Sequence, residues 1–554
     1  MTTVLLTRCL IALLFICSLA QADRSGPVVT LKTGSVQGHY RTVRGTDQLV
    51  EEYLGIPFAR PPLGPLRFAA PQPPQPWKGV RDATKLPNIC LQDTKSTEAL
   101  WKTYPVTFPA VQVSEDCLYL NVYRRSGTRS GEKLPVMVWI HGGGLAAGGT
   151  FYYDGSPLAV YQNVVVVVIQ YRLSILGFLS TGDEHAPGNW GFLDQIASLR
   201  WVQENIEAFN GDPDSVTIFG QSAGGISVSL LVMSPLAEGL FHKAIAMSGV
   251  VPLEAHYTNN PLAMAKMIAN LTECDNNDTE KLVECIKSKS EEDILNAIQQ
   301  VKVFLGPAID GVFLKGPPER ILKNSEFQKV PLLFGVTNHE FGWILPQLLG
   351  PPGWDQGMEK QTVVSVMDTF FPSHTAGVHE LILNEYLQND DSLENIRDAF
   401  TEILGDLVLV LPILKVAAYH RDAGAPVHVY EFQHSPLMHK ETRPSFVKAD
   451  HFDDALFFLG ACFCNGHTIV TGLVTEEEEE LSKTAMAYIT NFARTGSPNG
   501  PGLVEWPVYN HSENYLILNL QQTVSQRLKQ NRAHFLNVVL PQKLAKSHPV
   551  NDEL

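Results

Sequence analysis

One serine stands where a nucleophile has to stand. Val216-Thr217-Ile218-Phe219 runs directly into Gly220-Gln221-Ser222-Ala223-Gly224, a Gly-x-Ser-x-Gly pentapeptide. The β-branched and aromatic run before it reads as a strand, and the apolar residues 226–233 behind it read as a buried helix. Strand, sharp turn and helix together lift a serine hydroxyl to the tip of an elbow. Gly220 and Gly224 allow the turn to be tight, because a side chain at either would collide across it. The pentapeptide alone is a weak signal. Its competing reading is a glycine-rich turn with a surface serine, and only context separates the two.

A second motif supplies that context. His141-Gly142-Gly143-Gly144 follows another apolar run, residues 135–140. Tandem glycines present backbone N–H groups with no side chain in the way, and such donors suit a developing oxyanion. With the N–H of Ala223, just after the serine, Gly143 and Gly144 would complete an oxyanion hole. A serine nucleophile also needs a base, and the base needs an orienting carboxylate. The chain has 17 histidines, and spacing alone does not choose among them.

The elements that position these residues follow from hydrophobic runs. Residues 135–140, 164–170, 216–219, 244–247 and 331–336 read as strands buried on both faces, with 427–432 closing the series. Helical patterns fall between them, notably over 193–209 and from Leu230 onward. Strands alternating with helices give a mostly parallel sheet covered on both faces. Residues 28–31 and 35–40 read as a short antiparallel opening around Thr33-Gly34, and the proline-rich 57–76 reads as loop. Residues 115–123 read as the start of a strand pinned by a disulfide. The glutamate run 476–480 follows Thr475 and reads as a capped helix start, where carboxylates suit the helix dipole. Residues 404–418 are apolar but interrupted by Gly405, Asp406 and Pro412, so they do not read as a membrane span.

The net charge, 42 − 58 = −16, argues against nucleic acid or an anionic membrane as partner. Residues 1–22 read as a signal peptide: Arg8, an apolar core over 9–17, and the small-x-small site Ala20-Gln21-Ala22. An oxidising compartment follows, so the six cysteines beyond that segment are disulfide candidates. Cys274 and Cys285 are spaced to close a small loop, and Cys90 and Cys117 a larger one. Cys462 and Cys464, with His467 nearby, lack a fourth ligand for zinc and read better as buried thiols. Sequons at Asn270, Asn277 and Asn510 fit a luminal glycoprotein. The ending Asn551-Asp552-Glu553-Leu554 resembles an endoplasmic-reticulum retrieval signal and implies a retrieval receptor as partner.

Over nearly the whole length after residue 22 the chain resembles the type-B carboxylesterase family, which includes the cholinesterases. The matching pieces are Tyr53-Leu54-Gly55-Ile56-Pro57-Phe58-Ala59, residues 61–68, residues 114–121, His141-Gly142-Gly143-Gly144 and Gln170-Tyr171-Arg172. Gly188-Asn189-Trp190-Gly191, the Ser222 elbow, residues 338–343 and Lys448-Ala449-Asp450-His451 complete the set. The vertebrate carboxylesterase 2 branch matches further at residues 90–93, 475–482 and 540–543. The resemblance implies an α/β-hydrolase fold over residues 23–550. It implies Ser222 as nucleophile, Glu340 as orienting carboxylate, His451 as general base and acid, and Gly143, Gly144 and Ala223 as oxyanion donors. His339, beside Glu340, is not catalytic on this reading. The resemblance also implies the disulfides Cys90–Cys117 and Cys274–Cys285.

Four positions depart from the family. Gln221 stands where the family usually has Glu, although some insect members have Gln. Phe452-Asp453-Asp454 stands where Gly precedes Asp-Glu, and Asn210 replaces a common Gly or Arg. The departures touch rate and pocket shape, not reaction class. The expectation is a serine carboxylic-ester hydrolase of the endoplasmic-reticulum lumen, or secreted, acting on xenobiotic and lipid esters without cofactor or metal. The alternatives are a non-catalytic adhesion relative of the same fold, or a dedicated cholinesterase or lipase.

Overall fold

β-Branched runs favour strands, and here they assemble into the sheet that carries the site. The computed structural model describes residues 26–547 apart from 96–103, 130, 252–259, 276, 302 and 372–376. The signal-like 1–22 and the tail 551–554 lie outside the described residues. The main sheet has eleven strands. Along the chain they are β1 (His39–Thr42), β2 (Leu49–Pro57), β3 (Tyr119–Arg125), β4 (Leu134–Ile140), β5 (Val165–Ile169) and β6 (Gly211–Gln221). β7 (Lys243–Met247), β8 (Leu332–Thr337), β9 (Val427–Phe432), β10 (Asn514–Leu518) and β11 (Thr523–Gln526) follow. Their spatial order is β11-β10-β9-β8-β7-β6-β4-β5-β3-β2-β1. Neighbours from β5 through β10 run parallel, while β1, β2, β3 and β11 pair antiparallel at the edges.

Two expectations on the sheet need correction. Residues 427–432 do not close it, because β10 and β11 continue beyond β9. The opening hairpin pairs Val28–Leu31 with Gly34–Gln37, but the chain then leaves it, and β1 belongs to the main sheet. Both misses involve short edge strands, half exposed, whose apolar signal is weak.

The central strands bury alternate residues in two cores. Along β4, Val136, Val138 and Ile140 face one side, and Met137 and Trp139 the other. The first core is covered by α1 (Trp190–Asn205) and α2 (Ala223–Met233), through residues such as Phe192, Leu199, Val228 and Leu231. The second is covered by α5 (Asp453–Phe458) and α6 (Glu476–Thr495), through Phe458, Met486, Ile489 and Phe492. Each fully buried side chain of this size contributes about 1.5–3 kcal/mol, which is why a strand apolar on both faces stays central. The helical pattern expected over 193–209 ends at Asn205 and tightens into a 3₁₀ turn, Ile206–Phe209. The helix expected from Leu230 onward stops at Met233, because Ser234 precedes Pro235 and adopts extended backbone.

Thr475 caps α6 as the sequence indicates. Its Oγ1 accepts from Glu478 N at 3.2 Å, and Glu478 Oε2 accepts from Thr475 N at 3.0 Å. Residues 404–418 follow one helical path despite Gly405, Asp406 and Pro412. Helix α3 (Leu393–Gly405) passes through a π turn (Asp406–Val410) into α4 (Leu411–Asp422). The wide turn ends where Leu411 N donates to Asp406 O, so Pro412, which has no N–H, enters without breaking the helix. No helix among the described residues is long and apolar enough to cross a membrane.

Candidate active site

The elbow forms where β6 turns into α2. Ser222 sits between them at φ 57°, ψ −125°. That sparsely populated conformation costs about 1–3 kcal/mol and persists only where the surroundings enforce it. Here Ser222 N donates to Met247 O on β7, and Ser222 O accepts from Ile226 N, each at 2.9 Å. A Cβ on Gly224 would lie 2.0 Å from Ile140 O, so β4 and α2 approach each other through that glycine. The hydroxyl is half-buried, and Ser222 Oγ has no hydrogen-bond partner among the described residues.

Glu340 and His451 arrive on loops beyond β8 and before α5. Glu340 Oε2 lies 2.7 Å from His451 Nδ1. Its other oxygen, Oε1, accepts from Thr337 N at 2.7 Å and from Ser248 Oγ at 2.7 Å. A carboxylate with one oxygen so occupied presents the other as a pure acceptor, so His451 Nδ1 carries the proton. Burial lowers the affinity of His451 for a second proton. The Glu340 hydrogen bond and charge, with Asp450 and Asp454, outweigh it and hold the pKa above its ordinary value. Asp454 is itself pushed up to about 7 by burial, then by Glu340, against a hydrogen bond from Tyr430. Ser248 carries no motif, and no residue pattern signals its contact with Glu340. His451 Nε2, the nitrogen that faces the elbow, lies 3.1 Å from Gln221 Nε2.

The glycine loop after β4 faces open space. Gly143 and Gly144 are exposed and lie at φ 101° and 63°. A Cβ on Gly143 would stand 2.1 Å from Ala147 O, so no other residue closes this turn. Among the described residues no backbone acceptor takes the N–H of Gly143, Gly144 or Ala223. The loop is braced from outside. Tyr171 Oη donates to His141 O at 2.8 Å, and the two rings stack at 4.4 Å. The Gln92 side chain bonds Gly148 O at 2.7 Å and Gly148 N at 2.9 Å. Arg172, next to Tyr171, holds Asp194 with two bonds of 2.7 and 2.8 Å. The Gln170-Tyr171-Arg172 motif is thus scaffold for the glycine loop.

Phe452 takes the left-handed conformation, φ 83°, at the N-terminus of α5. A non-glycine side chain there costs about 1–2 kcal/mol. The ring offsets that cost by packing 6.3 Å from Tyr104 and 6.2 Å from Tyr153. It also lines a small, mostly apolar cavity with Tyr152, Leu456 and Thr468 that is partly open to solvent. Phe452→Ala should lose the ring and keep the strain, whereas Phe452→Gly loses the ring and relieves it. The alanine variant is therefore expected to be the less stable by about 1 kcal/mol, and thermal melts of the pair would expose a reversed order.

His339 turns away from the elbow: its Nε2 lies 3.0 Å from Thr401 Oγ1, and its Nδ1 accepts from Lys448 N at 3.2 Å. Cys90 is bonded to Cys117 and Cys274 to Cys285. Cys462 and Cys464 are free and buried, and burial pushes the Cys462 thiol up to about 12. Asn270, Asn277 and Asn510 are exposed. Asn210 accepts from Arg124 Nη1 at 2.6 Å at the start of β6, far along the strand from the elbow.

The Carboxylesterase family model matches residues 25–536. A medium-chain fatty acyl-CoA hydrolase precursor of Anas platyrhynchos is 46% identical over 516 residues, covering 92% of this chain and 91% of the relative. Cocaine esterase of Homo sapiens is 46% identical over 527 residues, covering 94% and 93%. Carboxylesterase 5A of Homo sapiens is 45% identical over 534 residues, covering 96% and 92%.

Proposed function

The chain belongs to the carboxylesterase family, an α/β-hydrolase fold of carboxylic-ester hydrolases, and from that premise we propose that Ser222, His451 and Glu340 are its catalytic triad. The observation that carries the assignment is the 2.7 Å contact of Glu340 with His451 Nδ1, which leaves Nε2 free of a proton beside the elbow. His451 Nε2 takes the Ser222 proton as Oγ attacks the ester carbonyl. The N–H groups of Gly143, Gly144 and Ala223 receive the negative charge that forms on the carbonyl oxygen. His451 then gives its proton to the departing alcohol, and an acyl-Ser222 remains. A water activated by His451 attacks that acyl group and releases the acid.

The substrates are small-molecule esters, of both xenobiotic and lipid origin. The names of the duck hydrolase and the human cocaine esterase support extending the class to acyl-CoA thioesters and bulky-alcohol esters. A panel of esters and thioesters varied separately in acyl and alcohol size, assayed on purified protein, tests this. Uniformly undetectable turnover across the panel would leave the reading without support.

Residues 1–22 direct the chain into the endoplasmic reticulum, where Asn270, Asn277 and Asn510 are glycosylation acceptors, and Asn551-Asp552-Glu553-Leu554 returns it through a retrieval receptor. Deleting residues 551–554 is expected to move esterase activity from the cells into the medium. Equal partitioning of truncated and full-length protein would remove the tail from the account.

A further inference from the structure

Gln221 ends β6 and is buried at 3% exposure, one residue before the elbow serine. Its side-chain nitrogen lies 3.1 Å from His451 Nε2. The protonation pattern of the neighbouring contacts fixes what that bond is. Glu340 accepts the Nδ1 proton, so in the neutral ring Nε2 holds a lone pair and takes the Gln221 amide N–H. That lone pair is the one that has to receive the proton of Ser222. Ser222 Oγ meanwhile has no partner among the described residues. The other end of the amide packs against the glycine loop: a Cβ on Gly142 would lie 3.3 Å from Gln221 Oε1.

Resting on the triad reading above, we propose that Gln221 is a positioning residue that occupies the base in the resting enzyme, holding His451 Nε2 unprotonated and yielding it to Ser222 when substrate fills the elbow. Chemistry distinguishes this from a spacer. An amide donates N–H to neutral imidazole and so favours the unprotonated ring. A carboxylate at the same place has no proton to donate, and it stabilises the imidazolium by accepting from Nε2–H. Gln221 therefore keeps the base competent at pH values where a glutamate would leave it protonated.

Other charged groups face this ring and need control. Glu340 approaches from the loop after β8. Asp450 precedes His451 and receives the N–H groups of Trp343 and Ile344 at 2.9 Å each. Asp454 on α5 bonds Tyr430 of β9 at 2.6 Å, and Arg443 pairs with Asp453 at 2.7 Å and approaches Asp450 at 3.9 Å.

The test compares wild type, Gln221→Glu, Gln221→Met and Asp454→Asn. The readouts are kcat/KM for a neutral ester across pH and the rate of phosphonylation by a neutral fluorophosphonate. The acid limb should move to higher pH in Gln221→Met, which removes the donor, and further in Gln221→Glu. At acid pH the Glu variant should fall at least about threefold further below wild type than it does near the alkaline plateau. Both readouts should move together. Gln221→Asn keeps the amide but retracts it, and should follow the methionine variant if the latter folds poorly. Coincident acid limbs in wild type and the Gln221 variants overturn the proposal. So does a downward shift in Gln221→Glu, or a limb that moves only with Asp454→Asn. Failure of the triad itself appears elsewhere, as turnover or phosphonylation surviving in Ser222→Ala.

Discussion

Ser222→Ala is expected to retain the fold and lose ester hydrolysis by a factor on the order of 10³ or more. The two halves of this expectation have separate causes. On stability, Ser222 contributes backbone bonds to Met247 and Ile226, and alanine keeps both. The hydroxyl does not cap α2 and has no partner among the described residues, so its removal lies within about 0.5 kcal/mol. On catalysis, alanine removes the oxygen nucleophile from the tip of the elbow, and the one hydrogen-bond partner recorded for His451 Nε2 among the described residues is the amide of Gln221. The variant retains those oxyanion donors and any substrate contacts, which accounts for a residual rate above that in water. Initial rates on a neutral ester, unfolding curves and stoichiometric labelling by a fluorophosphonate read the two halves independently. A folded variant with near-normal turnover would sink the mechanism. Labelling at a different residue would relocate the nucleophile.

The elbow and the glycine loop were legible in the sequence because each couples a β-branched strand to glycines that only a tight turn requires. The two strands are neighbours, β4 and β6, so two motifs that start 220 − 141 = 79 residues apart in the chain meet by simple register. The acid and the base were not legible from residues alone. Glu340 and His451 sit on loops with no periodicity, and only resemblance to a family singled them out among many acids and 17 histidines. Ser248 was missed for the same reason: its role exists only because β7 delivers it to Glu340 in space. The edge strands β1 and β11 escaped because half-exposed pairing leaves little apolar signal, whereas β10, mostly buried and apolar over 515–518, carried a strand signal that was passed over. Gln221 was visible as a departure from the family, but its donor role depends on which proton Glu340 fixes, and that is a property of the assembled site.

Glu340→Gln is expected to cost about 10⁴-fold in kcat, more than loss of a negative charge alone explains. The two carboxylate oxygens of Glu340 are not equivalent. Oε1 accepts from the Thr337 N–H, which is a donor only, and from Ser248 Oγ, at 2.7 Å each. In the glutamine variant the carbonyl oxygen must therefore stay at that position, because an NH₂ group there would oppose a buried N–H. The amide nitrogen is then forced to the place of Oε2, facing His451 Nδ1, now 2.7 Å from the carboxylate. An NH₂ group facing Nδ1 donates to it, so the ring proton moves to Nε2. His451 then has no lone pair toward Ser222, and Gln221 can turn its carbonyl oxygen to accept the Nε2–H and hold the wrong tautomer in place. Ser248→Ala provides the contrast. It removes one donor to Oε1 but leaves Thr337 N–H and the carboxylate, so its loss should be about tenfold or less. The pair separates orientation from charge: kcat for a neutral ester is measured at a pH on the alkaline plateau, with unfolding curves to show intact folds. A Glu340→Gln variant within about tenfold of wild type would mean that Glu340 does not set the tautomer of His451. A Ser248→Ala loss as large as that of Glu340→Gln would mean that Thr337 alone cannot fix the carboxylate.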